Sequence, residues 1–216
     1  MSDVWSSRAQ AFRESPTHRE GPDLDLMIEM CEPAAGVKVL DVATGGGHVA
    51  RRLKEEGCTV VTVDPAPGMR PDVVARAEHL PFEDGSFDVV ACRIAPHHFQ
   101  DIHAAVTEMA RVSQRLLVIE DNLFVDEQVE EAEQLRDPTH VRCYSEDEWK
   151  QMLTDAGLEV ERAELLERRR DVDDWLARVE TPPADAARVK ELLGDRIADG
   201  TMTFPSIVLK ARQSQR

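Results

Sequence analysis

From Val37 onward the chain alternates short β-branched apolar runs with stretches whose apolar residues recur at helical spacing. That alternation predicts a parallel sheet covered by helices on both faces, because strands buried on two sides read as continuous apolar runs. Five runs, VKVLDV, CTVVTVD, PDVVAR, FDVVACR and RLLVIED, are the first five expected strands. The segment HVARRLKEEG sets Val49 and Leu53 one turn apart among charges and stops at Gly57, as a helix with a glycine terminator does. Only PAPGMRP separates the second run from the third. That is too short for a crossover helix, so a loop or a single turn is expected.

The second half continues with a helix over DIHAAVTEMARVS, for which Asp101 is the expected N-cap. After the fifth run, residues 122–144 insert a polar helical segment, DEQVEEAEQLRD, and then PTHVRCY. Ser145 with Glu148 three residues on forms a capping box for the next helix, which Gly157 ends. LEVERAELLER reads as a sixth strand, DVDDWLARV and RVKELLG as short helices on either side of Pro182 and Pro183, and TFPSIVLKAR as the last strand. Residues 1–36 read as a helical lead-in, and 37–216 as one α/β domain with the insertion on its substrate side.

Composition narrows the partners. The chain has 216 residues, enough for one large domain with a proper core, and carries 42 acidic against 26 basic side chains, a formal charge of -16. Such a surface repels phosphate backbones and anionic headgroups over a Debye length of about 10 Å, which disfavours nucleic acid and membranes as partners. Cys31, Cys58, Cys92 and Cys143 are scattered without a CxxC pair, so reduced, packed thiols and no zinc site are expected. The amino terminus has no apolar signal core, and no run approaches the ~18 apolar residues of a membrane span, so the expected location is the cytoplasm. A homodimer is left open as its assembly.

The candidate chemistry begins at VLDVATGGGHVA, Val39 to Ala50. A strand that ends in bare glycines at a helix start lets a ligand touch backbone, and the free N–H groups and helix dipole favour a polar or anionic group. Gly45, Gly47 and Ala50 satisfy the G-x-G-x-x-A form of a dinucleotide fingerprint, and Asp64 ends the next strand where a ribose-binding acid belongs. Asp41, however, puts an acid where a dinucleotide would bring its pyrophosphate. A cationic ligand reverses that sign, and S-adenosylmethionine, with its ammonium and sulfonium, suits Asp41 at one end and Asp64 at the other. Asp41 has a second reading, as a cap for the glycine turn's own N–H groups.

Together, VLDVATGGGHVARRL, VDPAPGM, AEHLPFEDGSFDVVACRIAPHHF and EAEQLRDPTHVRCYSEDEWKQMLTDAGLEV resemble a class I S-adenosylmethionine-dependent methyltransferase, in particular the small bacterial enzymes related to the ubiquinone and menaquinone C-methyltransferases. The resemblance implies a Rossmann-like, seven-stranded, mostly parallel sheet with an antiparallel last strand. It implies that Asp41, Ala43, Thr44, Gly45 and Gly47 cradle the methionine end of the cofactor, with Ala43 where many members have glycine. It further implies that Asp64 holds the ribose, that Pro65 and Met69 border adenine, and that Ala77 and Glu78 contact the adenine edge. Many relatives carry an aspartate just before that last pair to accept from the adenine amino group. This chain has Arg76, which cannot accept a hydrogen bond.

Ligands of open α/β sheets lie over the carboxyl ends of the strands, so CRIAPHHF at the end of the fourth strand is the expected reaction site. Arg93 and Ala95 would line the cofactor, and His97 and His98 would face a small-molecule methyl acceptor, His98 as the favoured general base, unless one of them only bonds a loop carbonyl. A metal site from His97, His98 and His103 is not expected, since adjacent histidines on an extended segment point apart. Arg136, His140, Arg142 and Tyr144 of the insertion are the substrate candidates, and His18 and Arg19 the polar residues of an amino-terminal lid. The resulting expectation is methyl transfer by in-line displacement, with an NAD-dependent oxidoreductase and a cofactor-binding protein without catalysis as rivals.

Overall fold

The computed structural model describes residues 2–214. Three helices lead in: α1 (Ser2–Glu14), α2 (Pro16–Arg19) and α3 (Pro22–Met30). The α/β alternation follows as β1 (Lys38–Val42), α4 (His48–Glu55), β2 (Thr59–Asp64), a 3-10 turn over Pro67–Met69, β3 (Val73–Val74) and β4 (Phe87–Arg93). A second 3-10 turn, Pro96–His98, precedes α5 (Ile102–Val112) and β5 (Ser113–Asn122). The chain closes with α6 (Glu127–Arg136), α7 (Glu146–Asp155), β6 (Leu158–Asp171), α8 (Val172–Ala177), α9 (Pro183–Leu193) and β7 (Thr201–Gln213).

The seven strands form one sheet in the order β3-β2-β1-β4-β5-β7-β6. Pairs from β3 to β5 are parallel, and β7 runs antiparallel to both β5 and β6. The strand order reverses between β1 and β4, where Asp41 pairs with Ala91 and Val42 with Cys92, so a crevice opens beyond Val42 and Arg93.

The period-2 geometry of the strands sorts the core into two layers. Val39, Val89, Leu116 and Val118 face α3 and α4 with Leu24, Met27 and Leu53, while Leu40, Val90, Leu117 and Ile119 face the other way, toward Met109, Trp149 and Leu153. Because Leu24, Met27 and Met30 are wholly buried, the lead-in is built into the sheet's core. Asp101 caps α5 through the Ala104 amide, and Ser145 with Glu148 forms the capping box of α7. All four cysteines are free and buried. Among the described residues no helix is long and apolar enough to cross a membrane.

Strand lengths differ from the sequence expectation at both edges. PDVVAR contributes only Val73 and Val74, held by two pairs to β2. β6 and β7 are 14 and 13 residues long and run past β5 as a two-stranded ribbon. Its far end, with Met202 and Phe204, is packed by a third apolar cluster from α6, α8 and α9 around Trp175 and Val189.

Candidate active site

The glycine turn is fastened by two acids. Asp41, 2% exposed, accepts from the Thr44 hydroxyl at 2.6 Å and the Ala50 amide at 3.2 Å, so it caps the turn and the start of α4. Asp64 accepts from the Gly45 amide at 3.0 Å and, through its other oxygen, from the Ala66 amide at 2.9 Å. Burial pushes the Asp41 carboxyl up to about 7 against the pull of those two donors, and burial likewise raises Asp64. One donor on each Asp64 oxygen leaves a further lone pair on each, the requirement for receiving a pair of neighbouring hydroxyls.

Above the turn lies a cavity of about 520 Å³. Asp41, Ala43, Thr44, Gly45, Asp64, Pro65, Met69, Ala77, Glu78, Arg93, Ala95, His98 and His18 all line it. The sequence-derived cofactor residues therefore converge on one space, Gly47 excepted. Gly47, at φ 78, is the left-handed N-cap of α4 and borders an open depression on the other side of the turn. Its role is to let the chain reverse into the helix.

Arg76 is half exposed and pairs with Glu78 at 2.8 Å, while the Gln100 amide donates to the same carboxylate at 3.0 Å. The arginine thus anchors the acid that lines the cavity beside Ala77. Arg93, its side chain 5% exposed, is a pin: Nε meets Glu120 at 2.6 Å, Nη2 meets Asp23 at 2.5 Å, and Nη1 donates to the His18 carbonyl at 3.0 Å. It ties the end of β4 to the lead-in helices. Ala43 and Ile94, the residues that carry β1 and β4 into the cavity, sit at φ 55 and φ 51. For β-branched Ile94 that is a strained conformation, a feature that collects at ligand sites.

The two adjacent histidines do not point apart. They sit on a 3-10 turn rather than an extended segment, and their ring centroids are 4.1 Å apart. Only His98 lines the cavity. Its Nδ1 lies 3.1 Å from the Thr139 carbonyl oxygen, which can only accept, so the ring proton is on Nδ1 and Nε2 keeps its lone pair. Burial and the neighbouring His97 hold His98 down to about 3, so it is neutral. His97 is buried behind it, with Nδ1 2.5 Å from Asp121, and burial pushes His97 down to about 3 and Asp121 up to about 7. His103 lies on the exposed side of α5, away from both.

The substrate candidates of the insertion face elsewhere. Arg136 stacks on Trp175 with its guanidinium 4.3 Å from the ring centroid and pairs with Glu133, while Tyr144 packs edge-on against Trp149 at 5.8 Å. Arg142 is exposed and pairs with Glu148 on α7. His140 is buried against Glu130 at 3.1 Å. Glu130, His140 and Cys143 bring ligand-type atoms within 4.8 Å of one another, but the Glu130 oxygens already accept from His140 and from the Cys143 amide. The insertion reaches the site through its backbone instead: the Val141 and Arg142 amides donate to the His97 carbonyl, and Thr139 meets the His98 ring.

The cavity's outer wall is α1, part of the expected helical lead-in, but the residues that face the cavity are not the lid candidates His18 and Arg19 alone. Trp5 and Phe12 line the cavity, with Trp5 edge-on to His98 at 4.7 Å and Phe12 5.5 Å from His18. Arg19 is exposed, and its carbonyl accepts from Arg51. The spacing of Trp5, Phe12 and Ala9 along one helix face was the available signal.

Comparison with known proteins adds a separate line of observation. A family model described as a methyltransferase domain matches residues 9–163. An uncharacterised methyltransferase of Bacillus subtilis (strain 168), YcgJ, is 33% identical over 212 residues, which cover 88% of this chain and 82% of that protein. The crystal structure of the B. subtilis YcgJ protein superposes with a TM-score of 0.79 at 27% identity, covering 90% of this chain and 99% of that one. A demethylmenaquinone methyltransferase of Beutenbergia cavernae is 38% identical over 98 residues, 39% of this chain and 41% of that protein.

Proposed function

Because the chain belongs to the methyltransferase domain family, we propose that it transfers a methyl group from S-adenosylmethionine to a small molecule held between helix α1 and His98. The observation that carries this reading is the single cavity that has Asp41, Gly45 and Asp64 at one end and Trp5, Phe12 and His98 along its wall. The residues present fit the cofactor. Asp41 offers a buried carboxylate to a cation, the bare glycines offer close approach, and Asp64 has acceptor capacity to spare for the ribose. When bound, S-adenosylmethionine supplies an electrophilic methyl on a positively charged sulfur.

The chain's own contribution is positioning and proton handling. Trp5, Phe12 and Phe99 give the cavity apolar walls that keep water out and hold an acceptor against the cofactor, which supplies much of the rate gain in a displacement of this kind. His98 presents the Nε2 lone pair to a proton on the nucleophile, as a base weakened by the burial that holds it down to about 3. Enclosure by α1 and the charge of -16 favour a small acceptor over a nucleic acid.

Thermal-shift titration with S-adenosylhomocysteine and, in parallel, with NAD tests the cofactor. Stabilisation by the former is expected, and stabilisation by NAD alone overturns the reading. Asp64→Ala should weaken S-adenosylhomocysteine binding by ~1–3 kcal/mol through the lost acceptor. Turnover of labelled S-adenosylmethionine across a panel of small acceptors then tests the acceptor class. Binding without turnover by any of them would favour a cofactor-binding protein that lacks catalysis.

A further inference from the structure

The inference rests on the reading of His98 as the group that meets the acceptor. Two side chains of α1, one helical turn apart and on one face, reach that ring by different routes. Trp5 touches it directly, edge-on at 4.7 Å. Arg8 reaches it through two residues of the insertion. Its Nη1 lies 3.1 and 3.3 Å from the two oxygens of Asp137, and its Nη2 donates to the Val179 carbonyl at 2.8 Å. Asp137 accepts from the Thr139 hydroxyl at 2.8 Å and the Thr139 amide at 3.1 Å. The hydroxyl, having donated to Asp137, can only accept from His98, whose Nδ1 lies 3.2 Å from it and 3.1 Å from the Thr139 carbonyl.

We infer that α1 assembles the catalytic base: Arg8, Asp137 and Thr139 are positioning residues that fix the His98 ring with its proton on Nδ1, and this chain is complete only while α1 covers the cavity. The Arg8 and Asp137 side chains are 12% and 2% exposed, so their pair is shielded from water and removing either partner leaves the other's charge uncompensated. If α1 lifts, Asp137 loses its cation, and the Asp137–Thr139 turn loses the contact that holds it against the helix. The same helix supplies Trp5 and Phe12 to the cavity wall. One movement therefore opens the site to water and releases the base's tautomer, and closure restores both. The arrangement makes His98 competent only when the reaction space is dry.

The test needs no acceptor. Long-range 15N–1H correlation spectra of 15N-histidine-labelled protein report which ring nitrogen carries the proton, and His98→Gln identifies the His98 signals by their loss. In the wild-type protein with S-adenosylhomocysteine bound, the Nδ1–H form of His98 is expected alone. Arg8→Met, which frees the whole Asp137–Thr139 turn, should convert it to a mixture with the Nε2–H form, Thr139→Val, which keeps the Thr139 carbonyl as an acceptor, should do so to a smaller extent, and Thr139→Ser should restore the single form. S-adenosylhomocysteine affinity should change less than threefold in Thr139→Val, because Thr139 meets the His98 ring and does not line the cavity. An unchanged His98 tautomer in both Arg8→Met and Thr139→Val, with the cofactor product still bound, overturns the inference and leaves the proposed function intact. Failure of the wild-type protein to bind S-adenosylhomocysteine overturns the proposed function instead. Should Arg8→Met fail to fold, Thr139→Val against Thr139→Ser decides the matter, since the two differ at one hydroxyl.

Discussion

The carbonyl oxygen of Phe12 occupies the space that a side chain on Gly46 would need, since a Cβ built there would lie 2.7 Å from that oxygen. His48 bonds the same carbonyl through Nε2 at 2.9 Å. Helix α1 is therefore seated on the glycine turn itself, and the middle glycine is required by a neighbour rather than by its own dihedral angles, because its φ is not positive.

Gly46→Ala should accordingly leave the turn's backbone intact and push α1 outward, at about 1–3 kcal/mol for overpacking. Hydrogen exchange separates the two effects. Amides 2–14 should exchange faster than in the wild type while those of β1 and β2 stay protected, and unaltered exchange across α1 would show that the helix is not seated on Gly46.

Ala43 makes the opposite case. Its φ of 55 is a left-handed conformation that disfavours any side chain, so Ala43→Gly relieves strain. The gain is reduced by the freedom glycine has in the unfolded chain and by the methyl's contacts with the core. A net stabilisation of at most about 1 kcal/mol is expected in urea unfolding, and a loss larger than that would show that the methyl's packing dominates.

Asp41 should impose a pH dependence on cofactor binding. Burial raises its carboxyl from the ordinary range to about 7, so the folded apo protein holds a proton there that the unfolded chain releases at lower pH. Stability from this group is complete below its unfolded pKa near 4 and is lost as pH rises toward 7. A cationic ligand reverses the preference, favours the carboxylate and expels the proton. S-adenosylmethionine affinity should therefore rise from pH 6 to pH 8 and then level off, with proton release seen by calorimetry in buffers of different ionisation enthalpy. Asp41→Asn should abolish that release, and release persisting in the variant would assign it to another group.

Glu120 is wholly buried and faces Arg93 at 2.6 Å, with Arg168 at 3.6 Å on its other oxygen. Asp23 pairs with both guanidinium groups as well, and burial raises the Glu120 carboxyl to about 7, so Glu120→Gln removes only part of a counter-charge at neutral pH and about 1–3 kcal/mol of stability should be lost. Chemical denaturation measures it, and a loss under 1 kcal/mol would mean that water reaches the cluster.

The strands were legible because parallel strands buried on two faces leave continuous apolar runs, and the glycine turn with Asp41 and Asp64 was legible because it is contiguous or one strand away. What sequence could not supply was direction. RDPTHVRCY reads as a cluster of polar side chains aimed at substrate, yet Arg136 is drawn onto Trp175 and His140 onto Glu130, and it is Thr139, the least conspicuous member, that touches His98. The sequence places His97 and His98 both facing the acceptor, and the 3-10 turn instead sends one ring toward Asp121 and the other toward the cavity. Trp5 and Arg8 lie about 90 and 130 residues from their partners His98 and Asp137, a distance that no local pattern spans.

The unequal lengths of the two outermost strands bear on how this chain behaves in a crowded solution. β3 offers only two residues to a newcomer, and β6 presents Glu159, Glu161, Glu167, Arg169 and Asp171 at its exposed positions, with Leu165 the one large apolar side chain among them. A second copy aligned along either border would find too short a ladder on one side and a row of charge on the other. The sheet is thus finished at both ends, and a long, twisted ribbon that could have seeded fibrils is kept from recruiting its own kind.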